Sequence, residues 1–517
     1  MKKFVWLITF GTALLLGVVT LNAQAVTTLQ YTSSGQMGHA WGDMNNDGYL
    51  DLYICHGGEP GDLFINNGNN TLTLKTKNTV LDSTNNASYS YGALWADFDG
   101  DGIPDLLFTN GTTAPAFKIY RSDGHGSFSS DLTSTLFAAG QPAYTGPDHC
   151  ATILPGVADY DRSGHLSLVI GGTYTTQDDI KLYHYNTTTG KYDNLDIATV
   201  LPGNHKVTSY NPAWVDIDND GWVDLFLPDY NGDGALLYKN NKNGTFTNVT
   251  ATNFPSVPIS IASAWADFNN DGYMDLIATG NDGSIKLFQN NKNGTFTDVT
   301  EASGVAAAFA AVGGVRGISC GDIDNDGYVD VIFTGSVSPI GNFGNNLVVL
   351  HNNGKMTFTD ITASYVSSLT SANISNEFRS NTMVDVNNDG FVDIILEAYS
   401  NPQTYVLFDS TNSNKWIAFK PIGSGLNTSA IGTRFKVYAK LSGVSADPDT
   451  VQIRDIQGGG SGSMTGGNLW ANFGLRNASS VDSVVVLWAD GSKQTYTGLA
   501  TNRYWTVKQG AAPVAGK

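Results

Sequence analysis

One nine-residue pattern constrains this chain more than any other feature. Asp322-Ile323-Asp324-Asn325-Asp326-Gly327-Tyr328-Val329-Asp330 places carboxylates at positions 1, 3, 5 and 9 of a tight loop, with Gly at position 6. Alternate residues of a turning loop can aim oxygens at one point. A hard divalent cation such as Ca²⁺ takes six to eight oxygens, and Gly at position 6 permits the sharp turn. The pattern recurs at 43–51, 97–105, 216–224, 267–275 and 385–393, and a degenerate copy runs 159–167. The seven first Asp residues lie 54, 62, 57, 51, 55 and 63 residues apart. Self-similarity at blade-like spacing defines a repeat architecture.

The predicted ligands follow position by position. Position 1 is Asp43, Asp97, Asp159, Asp216, Asp267, Asp322 and Asp385. Position 3 is Asn45, Asp99, Asp161, Asp218, Asn269, Asp324 and Asn387. Position 5 is Asp47, Asp101, Asp220, Asp271, Asp326 and Asp389. Position 7 supplies a backbone carbonyl, from Tyr49, Ile103, Trp222, Tyr273, Tyr328 and Phe391. Position 9 is Asp51, Asp105, Asp224, Asp275, Asp330 and Asp393. The third loop has Ser163 and Ser167 where the others have ligand Asp, leaving Asp159 and Asp161, and is expected to bind Ca²⁺ weakly or not at all. About six ions are therefore expected. An EF-hand needs Glu at position 12, and the six good loops have Ile54, Phe108, Leu227, Ala278, Phe333 and Leu396 there.

The flanks set the fold. An apolar run leads into each loop, with Trp two residues before the first Asp at Trp41, Trp95, Trp214 and Trp265. A second apolar run follows at once, as in Asp224-Leu225-Phe226-Leu227. A third strand and an Asn-Gly hairpin lead into a fourth, and Asn240–Thr250 is nearly duplicated at Asn290–Thr300. Asn-Gly between alternating strands signals a hairpin. Four strands in each of seven repeats predict an all-β, seven-bladed β-propeller over residues 26–410. The seventh repeat has no fourth strand of its own before the chain leaves it. Residues 27–33 resemble the fourth-strand endings and are expected to pair beside Tyr405–Phe408, removing two exposed sheet edges.

These repeats resemble the FG-GAP/VCBS family, calcium-loop propellers also found in integrin α-subunits. The loops and the Asn-Gly-x-Phe-Thr-x-Val-Thr endings carry the likeness. Beyond Asp409 the repeats stop. Asn427–Gly432, Asn468–Leu475, Val481–Val484 and Trp488–Gly491 resemble the ASPIC/UnbV domain, which implies a small all-β domain over 411–510 and a tail at 511–517. That pairing of domains is similar to the cartilage acidic protein family.

Composition narrows the function. Of 47 acidic residues, 23 are Asp in the seven loops, so the net charge of −19 is largely a metal-ligand feature. No basic stripe exists to hold nucleic acid. Lys2 and Lys3, the apolar run to Val19 and Ala23-Gln24-Ala25 read as a secretory signal over 1–25. The mature chain is thus expected outside the cytoplasm: extracellular, at the cell surface or periplasmic. No later stretch is long and apolar enough to span a bilayer as a helix. Three separated cysteines, Cys55, Cys150 and Cys320, make no disulfide framework. Asp148-His149-Cys150 has no nucleophile or oxyanion motif to join it.

The expected function is a calcium-stabilised binding or adhesion scaffold for an extracellular protein or glycan. The alternative is a propeller enzyme acting on carbohydrate as a lyase or dehydratase. The binding surface is expected opposite the loops, where the connections vary, with Tyr144, Tyr174, Tyr210 and Phe343 as an aromatic rim.

Overall fold

A computed structural model describes residues 18–20, 26–30, 36–56, 61–69, 71–75, 90–109, 117–138, 154–171, 180–203, 207, 209–229, 234–254, 262–280, 283–309, 315–335, 347–363, 378–398, 403–407, 412–442, 450–459 and 469–516. Each acidic loop joins two antiparallel strands. In the fifth repeat Ala262–Ala266 pairs with Asp275–Thr279, which pairs with Ile285–Asn290, which pairs with Phe296–Asp298. The second strand is buried along its whole length, because it has sheet neighbours on both edges and packing on both faces. The same order recurs in seven sheets, blades 1 to 7 here.

The blades form a closed ring. First strands of successive blades touch: Gln36–Gly42 with Ala93–Ala96, Gly156–Ala158 with Ala213–Val215, and Ala262–Ala266 with Val315–Gly321. Val315–Gly321 in turn meets Phe378–Val384, and that strand returns to Gln36–Gly42. The seventh sheet is completed by the N-terminal strand Val26–Gln30, antiparallel to Gln403–Leu407 with Val26 opposite Leu407. This is the expected closure. Lys415–Ile422, the next strand along the chain after Gln403–Leu407, pairs with Ala471–Arg476 and Tyr504–Lys508 and not with the seventh sheet. Val18–Thr20, inside the expected signal, lies beside Thr71–Leu74 at the outer edge of blade 1.

Aromatic rings fill the spaces between sheets. Trp95 stacks on Phe128 at 6.1 Å between centroids, Tyr160 on Trp214 at 5.5 Å and Phe254 on Phe296 at 4.5 Å. Trp41, Trp95, Trp214 and Trp265 are all buried, which explains their recurrence before the loops. Cys55 is buried and Cys320 partly so, both free and both on strands; Cys150 lies outside the described residues.

The C-terminal region forms two four-stranded sheets. Its core is continuous with that of the propeller: Trp416, Phe419, Phe435, Phe473 and Trp470 share one buried cluster with Trp41 and Trp95. Val514–Ala515 pairs with Tyr504–Lys508, so the segment read as a tail adds an edge strand.

Candidate metal centres under the C-terminal domain

Each loop is wound by its own carboxylates. In blade 6 the amide of Asp326 donates to Asp322 Oδ1 at 2.9 Å, and that of Gly327 to Asp322 Oδ2 at 2.8 Å. Asp324 Oδ1 accepts from the Asp326 amide at 3.1 Å, and Asp326 Oδ1 from the Tyr328 amide at 3.0 Å. Gly327 has φ +97° and Asn325 φ +57°, left-handed conformations that Gly and Asn tolerate best. Blades 1, 4, 5 and 7 repeat the position-1 contacts, with Gly48, Gly221, Gly272 and Gly390 donating to the Oδ2 of Asp43, Asp216, Asp267 and Asp385.

Position 9 has a second task. Asp330 Oδ2 accepts from the Ile323 amide at 2.9 Å and Oδ1 from the Asn352 amide at 2.7 Å. One carboxylate thus ties the loop to the ends of the first and third strands. Asp51, Asp224 and Asp275 do the same through Asn66, Asn240 and Asn290.

The oxygens converge. Ligand atoms of Asp322, Asp324 and Asp326 lie within 4.8 Å of one another, as do those of Asp97, Asp99 and Asp101, and of Asp216, Asp218 and Asp224. Burial raises the pKa of Asp51 and Asp105 to about 8 and that of Asp267 to about 7. Neighbouring carboxylates push in the same direction. Like charges held together out of water are relieved by taking up protons or by binding a cation. An all-oxygen donor set on a glycine-hinged loop fits Ca²⁺. Positions 1, 3 and 5, the carbonyl of position 7 and position 9 would hold it, and the ion would neutralise the cluster and fix the hairpin.

Blade 3 is different. His184 Nε2 sits 2.7 Å from Asp161 Oδ2, and Arg162 stacks over the Trp222 ring of blade 4 at 4.1 Å. The hydrogen bond to Asp161 raises the His184 pKa, favouring the imidazolium beside that carboxylate. Third strands bring basic groups to other loops too. Arg121 reaches Asp99 and Asp101 at 2.8 Å each, and His351 lies 3.2 Å from Asp330.

Position 4 does what the sequence reading did not assign to it. Asn219 Nδ2 donates to the Gly272 carbonyl of the next loop at 2.8 Å, Asn270 to Gly327 at 2.8 Å, Asn325 to Gly390 at 2.9 Å and Asn388 to Gly48 at 2.8 Å. Arg162 reaches the Gly221 carbonyl in the same way. Five of the seven loops are therefore latched, position 4 to the following position 6. The asparagines closing third strands form a second relay. Asn66, Asn240, Asn290 and Asn352 each donate to the position-2 carbonyl of the preceding loop, at Val386, Tyr160, Ile217 and Phe268. The recurrence of Asn at position 4 was the available signal.

The C-terminal domain covers this ring. Lys420 Nζ pairs with Asp43 Oδ2, Thr428 Oγ1 donates to Asp97 Oδ2, and the Tyr504 hydroxyl donates to Asp385 Oδ2. The Gly474 amide donates to Asp322 Oδ2 at 3.1 Å, and Arg434 Nη1 lies 3.6 Å from Asp216 Oδ2. Five position-1 carboxylates are thus gripped on one and the same oxygen, the one that accepts from the position-6 amide. Backbone joins in: the Arg476 amide donates to the Asn325 carbonyl at 2.9 Å, and the Val157 amide to the Gly458 carbonyl at 2.6 Å.

Of the expected aromatic rim, Tyr144, Tyr174 and Phe343 lie outside the described residues. Tyr210 does not stand on a rim: it is buried at 9% exposure, and its carbonyl accepts from the Leu154 amide at 3.0 Å. His149 is also outside the described residues.

Ring, hairpin loops and capping domain together make an all-β, propeller-like architecture. A family model for the FG-GAP-like repeat matches residues 43–108, 216–278 and 267–333, and one for ASPIC and UnbV matches 423–514. The chain carries FG-GAP-like repeats followed by an ASPIC/UnbV domain, and it is distantly related to cartilage acidic protein 1. The Mus musculus protein of that name is 26% identical over 277 residues, 52% of this chain but only 40% of its own length. Among solved structures, an Agrocybe aegerita lectin that recognises non-reducing terminal N-acetylglucosamine is similar at 17% identity and a TM-score of 0.42, covering 66% of this chain and 88% of that one. A Bacillus licheniformis rhamnogalacturonan lyase is similar at 15% identity and a TM-score of 0.38, covering 77% and 75%. Likeness this distant carries no argument about ligand or reaction.

Proposed function

We propose that this protein is a secreted, calcium-stabilised binding scaffold that recognises an extracellular protein or glycan. The observation that carries the reading is the assignment of the two faces. The acidic hairpins all emerge on one face, and the chain's own C-terminal domain covers it. The opposite face, which the second-to-third and fourth-to-first connections would form, is the one proposed to meet a partner. About six Ca²⁺ ions would hold the hairpins, in blades 1, 2, 4, 5, 6 and 7, with blade 3 relying on His184 and Arg162. Tyr144, Tyr174 and Phe343, in the variable connections, are the residues proposed to stack on sugars or anchor a protein partner.

A glycan array and a panel of extracellular-matrix proteins, probed with and without Ca²⁺, test this. Binding that Tyr144→Ala, Tyr174→Ala or Phe343→Ala weakens at least tenfold, without a change in melting temperature, supports the reading. Binding untouched by all three but lost on truncation of the C-terminal domain refutes the assignment of faces.

A further inference from the structure

We propose that the ASPIC/UnbV domain is a calcium-gated lid on the propeller: it docks on metal-loaded loops and is released when the metal leaves. The inference rests on the calcium reading of the loops.

The contact reads the loops themselves. The lid shares a buried core with the propeller and meets the first strand of blade 3 through Val157 and Gly458, contacts indifferent to metal, but it also grips the loops. It takes the outer oxygen of a position-1 Asp in blades 1, 2, 4, 6 and 7. That leaves Oδ1, on the other side of the carboxylate, for an ion. The lid also matches the shape of the wound loop. A Cβ built on Gly327 would meet Leu441 Cδ1 at 2.5 Å, and one on Gly390 would meet the Trp416 ring at 1.8 Å. These lid side chains lie flat on position-6 glycines, and that surface exists only while the loop keeps its left-handed turns.

Removing the ion puts three or four carboxylates, with ligand atoms within 4.8 Å of one another, into mutual repulsion. The position-1 carboxylates then move or turn, and the acceptor oxygens leave the lid's donors. Long-range charge works in the opposite direction. Residues 411–517 carry 11 basic and 5 acidic residues, against 15 basic and 42 acidic in residues 26–410. An empty propeller would therefore attract the lid more strongly at a distance. Salt screens that attraction beyond about 8 Å, whereas the lost contacts are at hydrogen-bond range, so geometry decides. The position-4 latches join the loops of blades 3, 4, 5, 6, 7 and 1 in series, so the four grips in blades 1, 4, 6 and 7 are lost together rather than singly.

The sequence provides a clean probe. Gly474 lies in the lid strand Ala471–Arg476, and the nearest atoms a Cβ on it would meet belong to the propeller, Asp322 Oδ2 at 2.0 Å and Asn325 backbone at 2.4 Å. Gly474→Ala should undock the lid without disturbing the lid's own core. Hydrogen–deuterium exchange on the full mature chain, in millimolar CaCl₂ and in EGTA, follows the buried underside at Trp416–Lys420 and Ala471–Arg476. Calorimetric titration with CaCl₂ measures affinity alongside.

In the wild type, EGTA should deprotect the underside strands while the lid strand Arg434–Ala439, paired on both sides within the lid, stays protected. Gly474→Ala should show the same pattern in saturating CaCl₂. By reciprocity, it should also bind Ca²⁺ about tenfold more weakly. An underside equally protected in EGTA with the propeller folded, or a Gly474→Ala chain that undocks yet binds Ca²⁺ as the wild type does, overturns the gate. Should the wild type unfold in EGTA, the Gly474→Ala titration in calcium decides alone. Absence of any calcium binding by the wild type overturns the metal reading as well.

Discussion

At the scale of single residues, the loops show how one side chain can serve its own backbone and a neighbouring domain together. Position 1 accepts two amides of its own loop and one donor from the lid, and still offers an oxygen for an ion. Position 4 holds a left-handed turn and donates to the next loop. Asn325 is 2% exposed, and its partner is the Gly390 carbonyl at 2.9 Å. Asn325→Ala removes that bond, leaves a buried carbonyl unpaired and puts Ala at φ +57°. It should cost about 2 kcal/mol in calcium-saturated protein, read by urea denaturation. A smaller cost at Asn46 is expected, because its side chain meets Lys420 at 3.5 Å rather than a loop carbonyl. Position 4 was legible as a recurring Asn but not as a latch. Its acceptor is more than fifty residues away, and only ring geometry brings the two together.

The element that decides closure is the five-residue strand Val26–Gln30. Its pairing with Gln403–Leu407 joins the two ends of the propeller and protects an edge strand that would otherwise present unpaired amides and carbonyls. Deleting residues 26–30 should lower the melting temperature and produce concentration-dependent association, visible by light scattering on a sizing column. A deletion that stays monomeric with an unchanged melting temperature would show that the edge is covered in another way. This strand was legible because it repeats the composition of the fourth strands it substitutes for. The lid's placement was not legible, because nothing in Trp416–Lys420 or Ala471–Arg476 resembles a complement to an Asp-rich loop. Its grip uses one lysine, one arginine, two hydroxyls and a glycine amide, drawn from five separate segments.

For the whole molecule, metal and pH are linked through the buried acids. Without metal, burial raises the pKa of Asp51 and Asp105 to about 8, above their unfolded values near 4. A raised carboxylate pKa means that the folded state binds the proton more tightly. The associated stability is present below pH 4 and is lost as pH rises through 8. Metal-free protein should therefore melt at a higher temperature at pH 5.5 than at pH 8. Calcium should reverse the order, since it binds the ionised form. With a dissociation constant of about 10⁻⁴ M in millimolar calcium, each site adds about 1.4 kcal/mol, and six add about 8 kcal/mol. EDTA at pH 8 should then lower the melting temperature by more than 10 °C. A melting curve indifferent to EDTA would remove calcium from the account of this fold.

The sequence by itself determined the repeat, the hairpin at every loop, the oxygen donors and the strand that closes the ring. Those features are local, or copied from repeat to repeat, so periodicity alone expresses them. Only the tertiary structure decided which face is covered, which oxygen of each Asp the lid holds, and that Tyr210 is packed away rather than presented. These depend on residues hundreds of positions apart meeting in space. The pairing of Lys420 with Asp43, or of Arg434 with Asp216, is settled by how a ring closes and what then settles over its mouth. No local pattern carries that information.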